Sequence, residues 1–244
     1  MKRFFHVFFI FSLLLFILFS FVYLTLPTTS VLKTENPGIT ALMQQRLDEA
    51  ARSGTKLKIK QKWVAFRDIP ELLKQSVRIS EDAGFYLHEG IDLHELEEAI
   101  KTNFEEGYFK RGASTITQQL AKNIYLSTER TLIRKLREYL IARRLETTLT
   151  KYRIFHLYLN VIEFGDGIFG VEAAALFYFN KNVSDLTPEE IIRLTAIIPK
   201  PLSEDPLGQS EWLYWRCCWI SQKLHQYNYI DIELFQELSL EFCD

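Results

Sequence analysis

Cysteine is scarce in this chain: three residues, Cys217, Cys218 and Cys243, in 244. So few, and in odd number, cannot build a disulfide framework, and no CxxC pair or Cys/His metal spacing exists. In an oxidising compartment one of the adjacent pair has Cys243 as a partner, and the spacing leaves open which. None of the three is given a catalytic role. Excess charge is lacking too: the formal net charge is −2, which gives no global sign of nucleic acid. Internal repeats and low-complexity tracts are absent. With 48% apolar and 25% charged residues the chain is not disordered. Its length suits one sizeable domain with a proper core, or two small ones.

One stretch lacks Asp, Glu, Lys and Arg altogether. It runs from Phe4 to Leu26, "FFHVFFIFSLLLFILFSFVYLTL". As a helix it would be roughly 34 Å long, against about 30 Å of bilayer hydrocarbon. It is longer than the apolar region of a signal peptide and has no A-x-A pattern before Pro27, so an uncleaved anchor is expected. Lys2 and Arg3 flank it on the N-terminal side, which keeps that end in the cytoplasm. "PTTSVLKTENPG", Pro27 to Gly38, reads as a linker, and "ITALMQQRLDEAARSG" as a helix ended by Gly54. "KLKIKQKWVAF" predicts a short strand or hairpin. From Pro70 onward nearly every segment, "KYRIFHLYLNVIEF" included, carries apolar residues at helical spacing. The expected division is 1–26 N-terminal start and anchor, 27–55 linker and membrane-proximal helix, 56–244 one globular domain.

Charge is unevenly placed. Lys122 to Arg153 holds nine Lys/Arg and three Asp/Glu, whereas Ser184 to the C-terminus holds four against eleven. A basic block in an acidic protein suits an anionic ligand or membrane surface, or is simply a solvated face. Two motif matches fail on context. "GDGIFG", Gly165 to Gly170, fits G-x-G-x-x-G but follows a segment read as helical, so its glycines are expected to join two helices. "SGTK", Ser53 to Lys56, fits S-x-x-K, but no SDN or KTG follows and Ser53 ends a helix. More telling is "KRGASTITQQLAKN", Lys110 to Asn123. Its small-residue turn at a helix N-terminus offers free N–H groups and hydroxyls, with Gln118 and Lys122 sharing a face. That suits a sugar or phosphate, although Ser/Thr followed by Gln is also a plain capping box.

The stretch "SEDAGFYLHEGID", Ser80 to Asp92, puts Glu81 and Asp82 where the hydrophobic pattern breaks. With "RGASTITQQLAKN", "RKLRE" (Arg134 to Glu138), "KYRIFHLYLN" (Lys151 to Asn160) and "EFGDGIFGVEAAALFYFNK" (Glu163 to Lys181), it resembles the signatures of the peptidoglycan glycosyltransferases, in order. Within that family the resemblance is to the monofunctional biosynthetic branch, and it covers roughly residues 60 to 225. It implies a mainly α fold: a lysozyme-like lobe and a smaller membrane-associated lobe after one transmembrane helix. It implies polymerisation of lipid II, outside the bacterial inner membrane, with undecaprenyl pyrophosphate as leaving group. By the same resemblance Glu81 is the general base for the acceptor 4-hydroxyl, and Glu138 assists at the donor pyrophosphate. Lys122, Arg130, Arg134 and Lys135 fall on the phosphate-binding cations, and Ser114, Thr115, Gln118 and Gln119 on the polar cluster. The resemblance leaves room for a divalent cation, Mg or Mn, at the pyrophosphate and implies no other cofactor. Implied partners are lipid II, the nascent glycan, membrane lipid and cell-wall or cell-division proteins.

The residue types suit that chemistry. A carboxylate can take the proton of a sugar hydroxyl as it attacks the anomeric carbon. Pyrophosphate leaves as an anion stabilised by cations, so no leaving-group acid is needed. A transpeptidase domain is not expected, because the chain ends before one would fit. Asp82 reads as a structural acid or a second base, His88 as a hydrogen-bonding or packing residue, and Phe85, Phe104 and Phe109 as core or acyl-chain contacts. Three positions depart from the family pattern: Gly84 stands where Arg or Lys is common, Ala113 where Gly is, and His156 in an acidic or small polar place. A lytic transglycosylase and an inactive scaffold are the competing readings. The first would need a protonated glutamate in an apolar pocket, and the second has no use for Glu81 and Glu138.

Overall fold

The computed structural model describes residues 2–106, 114–129 and 131–243. Among them helices dominate. In chain order they are α1 (Lys2–Leu24), α2 (Ala41–Arg52), α3 (Glu71–Glu81), α4 (Leu93–Glu106), α5 (Ile116–Tyr125) and α6 (Leu132–Thr148). Then follow α7 (Lys151–Val161), α8 (Val171–Phe179), α9 (Pro188–Ala196), α10 (Glu211–Gln226) and α11 (Ile232–Phe242). Most start where the sequence offers an oxygen for the free N–H groups of a first turn. Thr40, Thr115, Thr131, Thr150, Thr187, Ser210 and Asp231 each accept from the backbone three residues on. Gly54, at φ +72°, follows the end of α2.

The apolar stripes of most of these helices meet in one core, while Leu42 and Met43 of α2 pack with Phe169 in a smaller second cluster. Helix α5 supplies Ile116 and Leu120 and packs against α2, α6 and α7; α3 supplies Leu73 and Val77 and packs against α9 and α10. Phe85, Phe155 and Tyr158 are fully buried among them, which settles Phe85 as a core residue. The Phe104 side chain and Phe109 lie outside what the structure describes, as do Ala113 and Arg130. Helix α1 is long and apolar enough over Phe4–Leu24 to cross a membrane, and most of its described side chains are exposed.

Two readings are corrected here. The run "KYRIFHLYLNVIEF" is not helical to its end. Helix α7 stops at Val161, and Glu163–Gly165 forms strand β2, paired antiparallel with β3 (Ile168–Phe169). The glycines of "GDGIFG" therefore turn a hairpin; they do not join two helices. The short strand expected near residue 60, β1 (Lys60–Gln61), lies parallel to β3, giving the order β1-β3-β2. Ile162 and Phe164 continue the apolar run of α7, and a buried strand and a buried helix look alike there. Gly170 opens α8 at φ +84°, where a Cβ would stand 2.5 Å from the Asn160 carbonyl oxygen. Only glycine fits that approach.

Cys218 and Cys243 form a disulfide that ties the end of α11 to α10. Cys217 is free and buried in the core, and burial pushes its thiol up to about 12.

Candidate active site

Glu81 is the last residue of α3, with its side chain 9% exposed. Helix α5 and helix α10 reach it from two sides. Gln119 donates from Nε2 to Glu81 Oε2 at 3.0 Å, and Ser80 Oγ donates to Oε1 at 3.0 Å. The orientation of Gln119 is set behind it. The Tyr158 hydroxyl donates to Gln119 Oε1 at 3.0 Å, and burial, with Glu81 and Asp82 nearby, holds that phenol protonated well above its ordinary range. The amide oxygen being taken, its nitrogen faces Glu81.

From α10 comes Arg216, which none of the motifs contains. Its guanidinium donates to Ser80 Oγ at 2.7 Å and to the Ser80 carbonyl at 3.2 Å, and stands 3.5 Å from Glu81 Oε1. It lies over the Trp219 ring at 4.7 Å, and its Nε is buried without a hydrogen-bond partner among the described residues. The sequence carries one faint signal for it: a lone arginine on a helix whose Leu213, Cys217, Ile220 and Leu224 all enter the core.

Asp82 turns the other way. Both its oxygens meet His88 Nε2, at 2.9 and 3.0 Å, and Oδ2 also accepts from the backbone N–H of Ile116 at 3.0 Å. Because His88 Nδ1 accepts from Gly90 N–H, Nε2 carries the proton and donates it to Asp82. Asp82 thus joins the loop after α3 to the first turn of α5, where a negative charge is favourable. Thr115 and Gln118 belong to the same seam. They form a reciprocal capping box at the start of α5, and Thr115 Oγ1 donates to the Gly90 carbonyl at 2.7 Å. Both are buried, and their described partners are internal. A side chain at Gly84 would come within 2.6 Å of Asp92 Oδ2, so a cation there would displace Asp92. His156 bonds the Val64 carbonyl at 2.9 Å and packs on Trp63 and Phe66.

A second group gathers one turn further along α5. Glu138 on α6 is buried, and Arg134 and Lys135 donate to its two oxygens. Lys135 also reaches Ser114 Oγ at 3.0 Å. Lys122 projects here from α5. It has no hydrogen bond or ion pair among the described residues, and burial lowers its pKa, as do Arg134 and Lys135, against the pull of Glu138 and Glu163. Glu163 is itself held at both oxygens by Arg46, at 2.7 and 2.8 Å. A buried Glu138 is not the surface pair that i, i+4 spacing with Arg134 would allow. Three cations to one carboxylate leave the cluster positive, fit for an anion.

A divalent ion fits less well. Both Glu138 oxygens are engaged by Arg134 and Lys135. The described residues that come closest to a metal cluster, Asp82, His88 and Asp92, are bound to one another or to backbone N–H groups.

Comparison with known proteins identifies the family. The family model described as Transglycosylase matches residues 49–225. Biosynthetic peptidoglycan transglycosylases of Nitrosomonas eutropha and Nitrosospira multiformis are 44% and 40% identical over 178 residues. Those residues are 73% of this chain, and 73% and 77% of theirs. The protein of that name from Alcanivorax borkumensis is 42% identical over 193 residues, 79% of this chain and 76% of its own. With a family match over most of its length and relatives at this identity, the chain belongs to the transglycosylase family, the peptidoglycan glycosyltransferases.

Proposed function

We propose that the chain polymerises lipid II into glycan strands, transferring the growing strand from undecaprenyl pyrophosphate to the 4-hydroxyl of an incoming GlcNAc with inversion. Glu81 takes the hydroxyl proton as that oxygen bonds to the anomeric carbon. The bond from that carbon to pyrophosphate breaks, and undecaprenyl pyrophosphate leaves with its negative charge facing Lys122, Arg134 and Lys135. Glu138 positions Arg134 and Lys135. In this reading those cations, and no metal ion, neutralise the leaving group. Helix α1 anchors the enzyme in the inner membrane with its N-terminus in the cytoplasm, and residues 56–244 act on the outer side as the catalytic domain. No transpeptidase step is included: Ser53 of the "SGTK" match caps the end of α2 and bonds the Ala50 carbonyl and Thr55.

One observation carries the reading. Helix α5 holds both halves of the site, with Gln119 on the carboxylate and Lys122, three residues later, among the cations. A base and an anion site fixed to one rigid element suit a displacement with an attacking oxygen at one end and a leaving pyrophosphate at the other. A glycan-cleaving enzyme would want its glutamate in an apolar pocket, whereas both Glu81 oxygens accept hydrogen bonds from Gln119 and Ser80.

The test is lipid II polymerisation by the purified, detergent-solubilised chain beside Glu81→Gln. Loss of a general base is expected to cut the rate about 10²–10⁴-fold with the fold intact. Wild-type protein that makes no polymer, under conditions where one of the named relatives does, would sink the proposal.

A further inference from the structure

Helix α6 has an unusual outer side. Glu138, Ile141, Ala142 and Leu145 face the core. Away from it stand Leu132 at 90% exposed, Ile133 at 53% and Tyr139 at 41%. Arg137, Arg143 and Arg144 are interspersed with them. A helix on a water-facing surface carries polar residues there; apolar residues among arginines suit a lipid–water boundary.

Two of these arginines, seven residues apart, reach the point where α1 ends. Arg137 donates to the Thr25 carbonyl at 3.1 Å and to Thr25 Oγ1 at 3.3 Å. Arg144 donates to the carbonyls of Leu26 and Pro27 at 3.3 and 3.2 Å, and lies 5.2 Å from the centre of the Tyr23 ring. Arg134 has Glu138 as a partner and Arg143 has Glu89, but Arg137 and Arg144 have no carboxylate within 4.0 Å among the described residues. The bonds of Arg137 use its Nη1 and Nη2 and those of Arg144 its Nη1 alone, so Arg137 Nε and Arg144 Nε and Nη2 make no hydrogen bond among those residues. Two guanidinium groups with uncompensated charge and free N–H donors therefore stand at the exit of an apolar helix long enough to span a bilayer.

We propose that Arg137 and Arg144, with the end of α1, form a binding site for the phosphate of an anionic phospholipid. Helix α6 then lies in the membrane surface with Leu132, Ile133 and Tyr139 toward the acyl chains. Guanidinium forks match phosphate oxygens, arginine stems can run along apolar surface, and an aromatic ring beside them is usual at headgroup level. The substrate pyrophosphate is a poor occupant, because Arg134, Lys135 and Lys122 gather around Glu138, on the side of α6 that faces the core. The inference rests on α1 crossing the membrane and is independent of the reaction. Its consequence is mechanical: α6 also carries Glu138 and two of its three cations, so a lipid held here fixes their height above the bilayer.

The experiment uses the full chain in phosphatidylcholine vesicles with a trace of spin-labelled phosphatidylglycerol or spin-labelled phosphatidylcholine. Electron paramagnetic resonance reads the immobilised fraction of each, and flotation with the vesicles reads insertion. The wild type is expected to prefer the anionic label about fivefold, the scale of one arginine at an anionic surface. Arg137→Gln with Arg144→Gln should bring the ratio near one. Arg137→Lys with Arg144→Lys keeps the charge without the carbonyl-capping fork and should retain most of the preference. Equal immobilisation of both labels by wild type, an unchanged ratio in the Gln pair, or the same loss in the Lys pair as in the Gln pair would overturn the site. So would a chain that does not float.

Discussion

Arg216→Gln tests whether Glu81, the proposed base, depends on a cation supplied from the other end of the chain. At 3.5 Å, two unit charges at an effective dielectric of about 20 interact by about 5 kcal/mol. Burial of the guanidinium offsets much of this, and 3.5 Å is at the limit of a hydrogen bond. A net loss of about 1–2 kcal/mol at Glu81 is therefore expected, with the Ser80 bonds also removed. Carried in full into the transition state, a loss of about 1–2 kcal/mol corresponds to a drop in kcat of about 5- to 30-fold. The assay is continuous lipid II polymerisation with kcat and KM separated, alongside thermal melting. Arg216→Lys keeps a charge near Ser80 and should recover part of the loss, while KM stays near wild type in both. Wild-type kcat in Arg216→Gln would refute the reasoning. A purely structural role predicts that Arg216→Lys fails as badly as Arg216→Gln and that both lose activity in step with their melting temperatures.

Other expectations follow from the same geometry. Lys122 is held below the ordinary lysine value of 10.5 chiefly by burial, so its charge is lost earlier as pH rises. Activity should fall on the alkaline side below that value, and Lys122→Arg should move that limb upward in a pH–rate profile. Asp82→Ala leaves the Ile116 N–H and the His88 Nε2–H without an acceptor, at a cost of about 3 kcal/mol. Denaturant melts should show this, with little recovery in Asp82→Ser. Opening the Cys218–Cys243 bridge frees a 25-residue separation, worth up to about 3.5 kcal/mol by chain entropy. The reduced protein should melt lower, and a Cys218→Ser, Cys243→Ser chain should match it and become insensitive to reductant.

Much of the fold was legible because most of the helices declare themselves twice, in their apolar spacing and in a Ser, Thr or Asp before the first turn; α3, after Pro70, and α8, after Gly170, lack the second signal. Thr115 before "ITQQLAKN" and Thr187 before "PEEIIRLTA" are examples. The hairpin at 163–169 was not legible. Its strands are two or three residues long and continue the apolar run of α7, and only β1, about a hundred residues earlier, makes them a sheet. The acidic residues of the site stood out because they sit in dense motifs. Arg216 did not, since its tie to Glu81 spans 135 residues and arises only when α10 packs on α3. Local pattern was also ambiguous about Thr115 and Gln118. The same Thr-x-x-Gln spells a ligand-facing hydroxyl or a capping box, and the burial of both side chains decides which hydrogen bonds they make.

The position of Asp82 beside Glu81 can now be understood in mechanical terms. A helix that ends at residue 81 presents its last side chain at its tip, free of the next turn. The following acid is the one turned back, binding the N-terminus of α5 at Ile116. That bond fixes the start of the helix whose Gln119 holds Glu81 and whose Lys122 stands among the cations. Two adjacent carboxylates thus have different tasks set by different surroundings. One is held by the side chains of Gln119 and Ser80, and the other anchors the element that spaces Glu81 from the anion site. Exchanging their roles would need α3 to end one residue later, and the Ile116 bond opposes that.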